Sequence, residues 1–435
     1  MAVGNYKVQK LHKPVDWVVE VPGSKSMTNR ALLMAALADG TTTLKGVLFS
    51  EDSRNFLGSL KSLGFQTKID ENAKIVTVQG CNGTIPVTSG EIYVGSAGTA
   101  ARFLTAMLAM AEGTFVINAS EQMKKRPMKP LFKVLEELGA EIVCLDKEGF
   151  LPVQIKGIRG RRPADERCSV KLDISESTQF LSALLLVSSM IKQGLHIEIT
   201  SARKDGSYIQ ITRKMMEQFG AVVAFDGERY HIKSGMKYQS GCYQIEPDVS
   251  AACYFYAAAV LTGGRTVVKN VTWNCMQGDL KFLKLLEKMG AEVNDTPDGI
   301  EVRGASNGKL KGITVDMKDF SDQTMTLAAL APFADSDVRI ENIGHIRLQE
   351  SDRIHAIATE LTRLGIACEE EKDAITIHPG TPKPAVIQTY EDHRMAMAFS
   401  LVGLRVAGIE ISNPMCCRKT FETYFEVLDS LCSRP

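Results

Sequence analysis

The stretch Val21-Pro22-Gly23-Ser24-Lys25-Ser26-Met27-Thr28-Asn29-Arg30 brings together the side chains and the backbone geometry of an anion site. An apolar, β-branched run from Val15 leads into it, and a Pro-Gly turn ends that run. The Ala, Leu and Met content that follows predicts a helix from Met27 to Ala38. Strand, turn, then helix aims backbone N–H groups and a positive dipole end at an anion. Lys25 adds a mobile cation and Ser26 a hydroxyl; Arg30, one turn further on, shares a face with Ser26. The GxxxxGK[ST] spacing of a nucleotide phosphate loop is absent, since only Gly23 precedes the lysine. Taken alone, the stretch is equally well explained as a capped surface helix with solvated charges. Further cations and amides stand in similar settings: Lys124, Lys125 and Arg126 before Pro127, then Gln179, Arg353, His393 with Arg394, and Lys419. Together they would make a strongly cationic pocket for ligands with several phosphates or carboxylates. Two carboxylates, Asp322 and Glu350, are candidates for acid/base work; a carboxylate in such a pocket stays ionised and accepts a proton from a hydroxyl held against it. The plain alternatives are a helix N-cap for Asp322 and an ion pair with Arg353 for Glu350.

The elements that must position these residues recur. Ser24-Lys25-Ser26, Gly95-Ser96-Ala97-Gly98-Thr99, Ser175-Glu176-Ser177-Thr178-Gln179, Asp248-Val249-Ser250, Asp322-Gln323-Thr324 and Asp392-His393-Arg394 each open a predicted helix followed by a predicted strand. The openings lie roughly 70 to 80 residues apart, the spacing of a six-unit array. Each unit has a second helix with a shared ending, such as Leu60-Lys61-Ser62-Leu63-Gly64 and Leu286-Glu287-Lys288-Met289-Gly290. Its Gly suits a left-handed C-cap. The last copy, Phe421 to Leu431, lacks a strand, which the segment Tyr6 to Val21 is expected to supply. The simplest architecture is α/β, with six βαβαββ-type repeats, three per lobe. Residues 1–21 plus 246–435 would form a discontinuous lobe carrying both termini, and 22–245 an inserted lobe, with the active site in the cleft between them.

A chain of 435 residues is too long for one ordinary core, which agrees with two lobes. Its 51 basic and 51 acidic residues balance. No global field attracts nucleic acid or a membrane, so an anion site must be built locally. The seven His and ten Cys form no CxxC pair, metal-finger spacing or HExxH motif. Neither a signal-peptide core nor a run of membrane-span length is present. A cytoplasmic protein with reduced thiols is expected.

The ordered motifs resemble those of the 5-enolpyruvylshikimate-3-phosphate synthase family, among the enolpyruvyl transferases. The resemblance runs over essentially the whole chain: Pro22-Gly23-Ser24-Lys25-Ser26 with Asn29-Arg30-Ala31-Leu32, Ala97-Gly98-Thr99-Ala100 with Arg102, Lys124 to Pro127, Ser177-Thr178-Gln179-Phe180, Glu350-Ser351-Asp352-Arg353, Asp392-His393-Arg394-Met395-Ala396-Met397 and Lys419-Thr420-Phe421. It implies the two-lobed enolpyruvyl transferase fold, an inside-out α/β barrel. It also implies a reaction: the enolpyruvyl group of phosphoenolpyruvate passes to the 5-hydroxyl of shikimate 3-phosphate, and phosphate leaves. The route is addition then elimination through a tetrahedral ketal phosphate, without metal or organic cofactor, in the shikimate pathway of aromatic amino acid biosynthesis. By the family pattern Lys25, Ser26, Arg30, Ser177, Thr178, Gln179, Tyr208, Asp322 and Gln349 would hold shikimate 3-phosphate. Lys25, Gly98, Arg126, Gln179, Arg353, Arg394 and Lys419 would hold phosphoenolpyruvate. Lys25, Asp322 and Glu350 would be catalytic, Asp322 deprotonating the 5-hydroxyl and Glu350 with Lys25 handling the proton at the methylene carbon. The partners are these two small molecules, with no nucleic acid or membrane, and a monomer is expected. Inhibition by the herbicide glyphosate is expected too, because Gly98 leaves room beside the phosphoenolpyruvate site.

Several positions depart from the family's commonest pattern. Ser96 replaces Asn, Phe103 replaces Pro, and Gln122 replaces Arg. Asp205 stands where a Ser meets the shikimate phosphate, so Ser207 or Ser201 would take that contact. His345 and Gln349 replace Asn and Lys; the second removes a cation beside Asp322. Two rivals stand beside this reading. A sister UDP-N-acetylglucosamine enolpyruvyl transferase uses a reactive loop Cys, and the loop Ala119 to Pro130 has none. A non-catalytic anion-binding protein of the same fold is the other.

Overall fold

The computed structural model describes residues 4–158, 168–305 and 309–433. It divides into two compact units, Gly23–Ile245 and Met1–Pro22 with Glu246–Pro435. Within the described residues five four-stranded sheets are built alike: one parallel pair with an antiparallel hairpin on one side of it.

In the continuous unit the parallel pairs are Cys242–Gln244 with Asp39–Lys45, Ser89–Tyr93 with Thr114–Asn118, and Cys168–Leu172 with Leu195–Ile199. Hairpins extend them through Ile75–Cys81, Val153–Lys156 and Arg229–Ile232. In the two-segment unit the pairs are Asp16–Val19 with Arg265–Lys269, Ile313–Asp316 with Val338–Glu341, and Ala385–Ile387 with Ile409–Ile411. The last of these sheets has three strands, its antiparallel member being Tyr6–Lys7. The N-terminal segment is therefore divided: only Tyr6–Lys7 joins the final sheet, and Asp16–Val19 serves a different one.

A parallel pair needs a crossover, and a helix supplies it. Gly98–Ala109 links Ser89–Tyr93 to Thr114–Asn118, and His393–Arg405 links Ala385–Ile387 to Ile409–Ile411. These crossover helices are apolar almost all round. Every residue of Gly98–Ala109 is buried, as is nearly every residue of Val249–Thr262 and His393–Arg405. That is the pattern of helices at the centre of a core. Lys25–Leu37, Gly98–Ala109 and Gln179–Val187 pack on one another in the continuous unit; Val249–Thr262, Thr324–Leu330 and His393–Arg405 do so in the other. The second helices are amphipathic and cover the outside, for example Lys281–Lys288 with Phe282, Leu283, Leu285 and Leu286 inward.

The shared glycine endings have a common geometry. Gly64, Gly139, Gly220, Gly290 and Gly365 all have φ between 78° and 108°. In each case the next residue donates to the carbonyl five residues back, as Phe65 does to Leu60 and Ala291 to Leu286. The Gly itself donates three residues back. This double bond is the Schellman cap, which satisfies the last helix carbonyls and turns the chain into the next strand.

Candidate active site

The first helix begins at Lys25, two residues before the expected start, because extended Ser24 ends the Pro-Gly turn. Lys25 is thus fixed at its backbone, and its Nζ lies 3.3 Å from Asp52 Oδ2. Asp52 is fully buried, so the pair costs desolvation and orients Lys25. Ser26 Oγ is 3.2 Å from Ser24 Oγ. Arg30 is only 1% exposed, and among the described residues its hydrogen-bond acceptors are all neutral. Its Nε donates to Thr212 Oγ1 at 2.8 Å, Nη1 to the Ser26 carbonyl at 2.9 Å, and Nη2 to the Tyr208 carbonyl at 3.2 Å and Ser182 Oγ at 3.3 Å. Burial pulls its guanidinium down to about 10, against a smaller upward pull from Tyr208. The atypical Phe103 has a role here: its ring centre lies 5.2 Å from Arg30 Cζ, a cation–π contact.

The neighbouring helix starts are tied to this one. Asn29 Nδ2 donates to Thr99 Oγ1 at 2.7 Å, joining the first turns of two helices. Gly98 opens the second, and a Cβ there would stand 2.6 Å from Arg126 Nη1 and 3.0 Å from Arg102 Nη1. Gly98 is therefore what lets the Arg126 guanidinium lie against this helix terminus. Arg102 links the two segments, donating to the Gly98 carbonyl at 3.3 Å and the Pro127 carbonyl at 3.0 Å. Ser177, Thr178 and Gln179 are half-buried at the third helix start, where the Gln179 amide donates to Ser177 Oγ at 3.2 Å. Tyr208, also half-buried, sits at 6.0 Å from Arg30 Cζ by its ring. Asp205 accepts from Tyr230 at 3.1 Å and Gln210 at 3.1 Å, both neutral. Ser201 Oγ donates to the Arg203 carbonyl at 3.0 Å and accepts from the Ile174 backbone amide at 3.2 Å, so its hydroxyl is already engaged by its own loop and by the segment after Cys168–Leu172.

The two-segment unit gathers the other candidates into one ionic network. Asp322 Oδ1 lies 3.0 Å from Arg353 Nη1 and its Oδ2 2.8 Å from Arg394 Nη2. Glu350 is bracketed likewise, Oε2 at 2.9 Å from Arg353 Nη2 and Oε1 at 3.1 Å from Lys419 Nζ. Arg353 Nε reaches Asp392 Oδ2 at 2.7 Å, with Nη2 at 3.3 Å from Oδ1, a bidentate contact. Gln349 Oε1 accepts from Arg353 Nη1. Burial opposes the Arg353 charge, but Asp392, then Glu350 and Asp322, outweigh it and hold the guanidinium above its ordinary value. Asp392 caps its helix through the Arg394 amide at 3.0 Å. The departures at His345 and Gln349 leave Asp322 with two guanidinium partners, and His345 Nε2 pairs with Ser321 Oγ at 2.8 Å. Asp322 stands in a short helical turn, Ser321–Gln323, ahead of Thr324–Leu330.

The structure thus places Lys25, Ser26, Arg30, Gly98, Arg126, Ser177, Thr178, Gln179 and Tyr208 in one unit, and Asp322, Gln349, Glu350, Arg353, Arg394 and Lys419 in the other. Asp52 and Asp392, which orient Lys25 and Arg353, are not legible as partners in the sequence. Asp52 looks like first-turn helix acid, and Asp392 like a cap. Among the described residues no group of three or more His, Cys, Asp or Glu is arranged to hold a metal ion. No described helix is long and apolar enough to cross a membrane.

Comparison with known proteins gives this arrangement a family. A family model for EPSP synthase (3-phosphoshikimate 1-carboxyvinyltransferase) matches residues 10–428. A 3-phosphoshikimate 1-carboxyvinyltransferase of Trichormus variabilis is 43% identical over 96% of this chain and 97% of its own length. One from Sulfurovum is 41% identical over 97% and 98%. An EPSP synthase structure from Acinetobacter baumannii superposes with a TM-score of 0.80 at 26% identity, covering 99% of this chain and 98% of that one. The enolpyruvyl transferase NikO of Streptomyces tendae, at 16% identity and a TM-score of 0.74, shares the fold. A match over nearly the full length, from sequence and structure alike, means that this chain belongs to the EPSP synthase family.

Proposed function

We propose that the chain transfers the enolpyruvyl group of phosphoenolpyruvate to the 5-hydroxyl of shikimate 3-phosphate and releases phosphate. One observation carries the reading. Two carboxylates, Asp322 and Glu350, are held in fixed orientations by Arg353, Arg394 and Lys419. That is an acid/base pair embedded in an anion site. Anionic substrates would take over some of these cation contacts, since phosphate and carboxylate match the guanidinium fork as well as Asp322 does.

In this reading Arg126, Arg353, Arg394 and Lys419, with Gly98, hold phosphoenolpyruvate. Ser26, Arg30, Ser177, Thr178, Tyr208 and Gln349 hold shikimate 3-phosphate, and Lys25 and Gln179 reach both. Asp322 takes the 5-hydroxyl proton as that oxygen bonds to the central carbon of phosphoenolpyruvate. Glu350, with Lys25, delivers a proton to the methylene carbon, which gives the tetrahedral ketal phosphate. Glu350, with Lys25, then takes a proton back from the new methyl group, which expels phosphate and restores the double bond. The buried guanidinium of Arg30, whose hydrogen-bond acceptors among the described residues are neutral, supports an anion at the first helix start. The reading assigns the chain to the cytoplasm, as a monomer without metal or organic cofactor.

The test is Glu350→Gln. Phosphate release should fall by about 10²–10⁴, while calorimetry still detects shikimate 3-phosphate binding. Wild-type protein that binds the substrates but releases no phosphate would reject the assignment in favour of a non-catalytic binder.

A further inference from the structure

One buried carboxylate close to Asp322 has no part in the chemistry above. Asp279 stands in the short helical turn Gly278–Leu280 and is 5% exposed. Its Oδ1 accepts from Gln323 Nε2 at 2.7 Å and from Ser250 Oγ at 2.9 Å. Gln323 follows Asp322 directly and is itself fully buried. Its Oε1 accepts from Thr326 Oγ1 at 3.0 Å. The turn bearing Asp322 is therefore pinned through Gln323 on both sides of its amide.

Both donors to Asp279 are neutral. Among the described residues no cation forms an ion pair with it. The titratable and charged groups facing it are Asp322, Arg394 on the helix His393–Arg405, and Cys253 on the helix Val249–Thr262. Burial, and then the charge of Asp322, push the Asp279 carboxyl up to about 6, against Arg394 and its two hydrogen bonds. An asparagine would keep the same acceptor for both hydrogen bonds without burying a charge. If pinning the turn were the whole role, the acid would be the inferior residue. Its negative charge acts on Asp322: a like charge nearby raises the affinity of a carboxylate for a proton. A stronger base is what removal of an alcohol proton requires.

We propose that Asp279 is a positioning residue for Asp322: it fixes the turn through Gln323, and its charge strengthens the Asp322 carboxylate as a base. The proposal rests on Asp322 being the base of the proposed reaction. The test compares the full chain with Asp279→Asn and Ser250→Ala, recording phosphate release and melting temperature between about pH 5 and pH 9. Wild type should show a step in kcat near pH 6, where Asp279 loses its charge. In Asp279→Asn the step should vanish and kcat at about pH 8 fall three- to tenfold. KM for both substrates should stay within about twofold, and the melting temperature should rise. Ser250→Ala removes one donor to the anion and should move the step to higher pH. Unchanged kcat in Asp279→Asn, or a loss of kcat and melting temperature together with the step unmoved, overturns the proposal. A second readout does not need turnover. Carboxyl-carbon NMR of labelled Asp279 should titrate at lower pH in Asp322→Asn than in wild type, and an unmoved midpoint overturns it as well. Wild type without turnover rejects the functional reading, and this NMR comparison still decides the coupling.

Discussion

Asp392 shows how much of the site depends on one side chain. It is fully buried and is the bidentate partner of Arg353, which is equally buried. Removing one member of such a pair strands the other charge. Asp392→Ala should cost about 3–5 kcal/mol in urea denaturation and raise KM for phosphoenolpyruvate; a loss below about 1 kcal/mol would mean that Arg353 finds another partner. Asp279 has the opposite sign. Its folded value of about 6 lies above the ordinary carboxylate value of 3.8. Below that ordinary value both states hold the proton and nothing is gained or lost. Between the two values the folded state keeps a proton that the unfolded state releases, so stability falls as pH rises. Above both, the penalty levels off at about 3 kcal/mol. Asp279→Asn should therefore melt higher than wild type at neutral pH, and the difference should vanish near about pH 4; calorimetric scans across that range check it. The sequence displays the cations and carboxylates of the site as residue types at helix starts. It does not display their pairing. Asp392 lies 39 positions from Arg353, and only the sheet topology brings them together.

Two glycines test the elements that carry these residues. Gly290 has φ of 108°, and a Cβ there would meet nothing nearer than 3.8 Å. Gly290→Ala should cost only backbone strain, about 1–2 kcal/mol. Gly64→Ala adds contacts of 3.0 Å to Pro86 and 3.2 Å to Val87, and should cost more. Equal urea midpoints for the two variants and wild type would contradict the capping account. At Gly98 a Cβ would meet the end of the Arg126 side chain at 2.6 Å, so Arg126 must swing aside. Gly98→Ala should raise KM for phosphoenolpyruvate several-fold with a smaller effect on kcat. Glyphosate should inhibit the wild-type chain, and unchanged turnover at millimolar glyphosate contradicts the space assigned beside Gly98. The capping glycines are legible in the sequence because the apolar-x-x-apolar-Gly ending and the Schellman bonds express one constraint. Helix starts are less legible. Lys25 lies inside its helix because the turn ends at Ser24, and Thr324–Leu330 stops early where Pro332 cannot continue it. The division of the N-terminal segment between two sheets is invisible locally, since pairing partners lie far along the chain.

Across the whole molecule the charges cancel, 51 against 51, yet the candidate residues concentrate cations at helix starts. Substrate binding should therefore respond to salt although the chain is neutral, KM for both substrates rising as ionic strength increases from about 0.05 to 0.5 M. The overall α/β class and the family were legible from ordered motifs spread along the full length, several of which sit where a core helix begins, as at Lys25, Gly98 and His393. The measurement that bears most directly on the central claim is phosphate release from phosphoenolpyruvate with shikimate 3-phosphate as acceptor, run beside UDP-N-acetylglucosamine. Release with shikimate 3-phosphate alone is the predicted result, and it would show that Gln349, His345 and Asp205 are compatible with turnover. Release with UDP-N-acetylglucosamine instead, or with neither acceptor from folded protein, would contradict it.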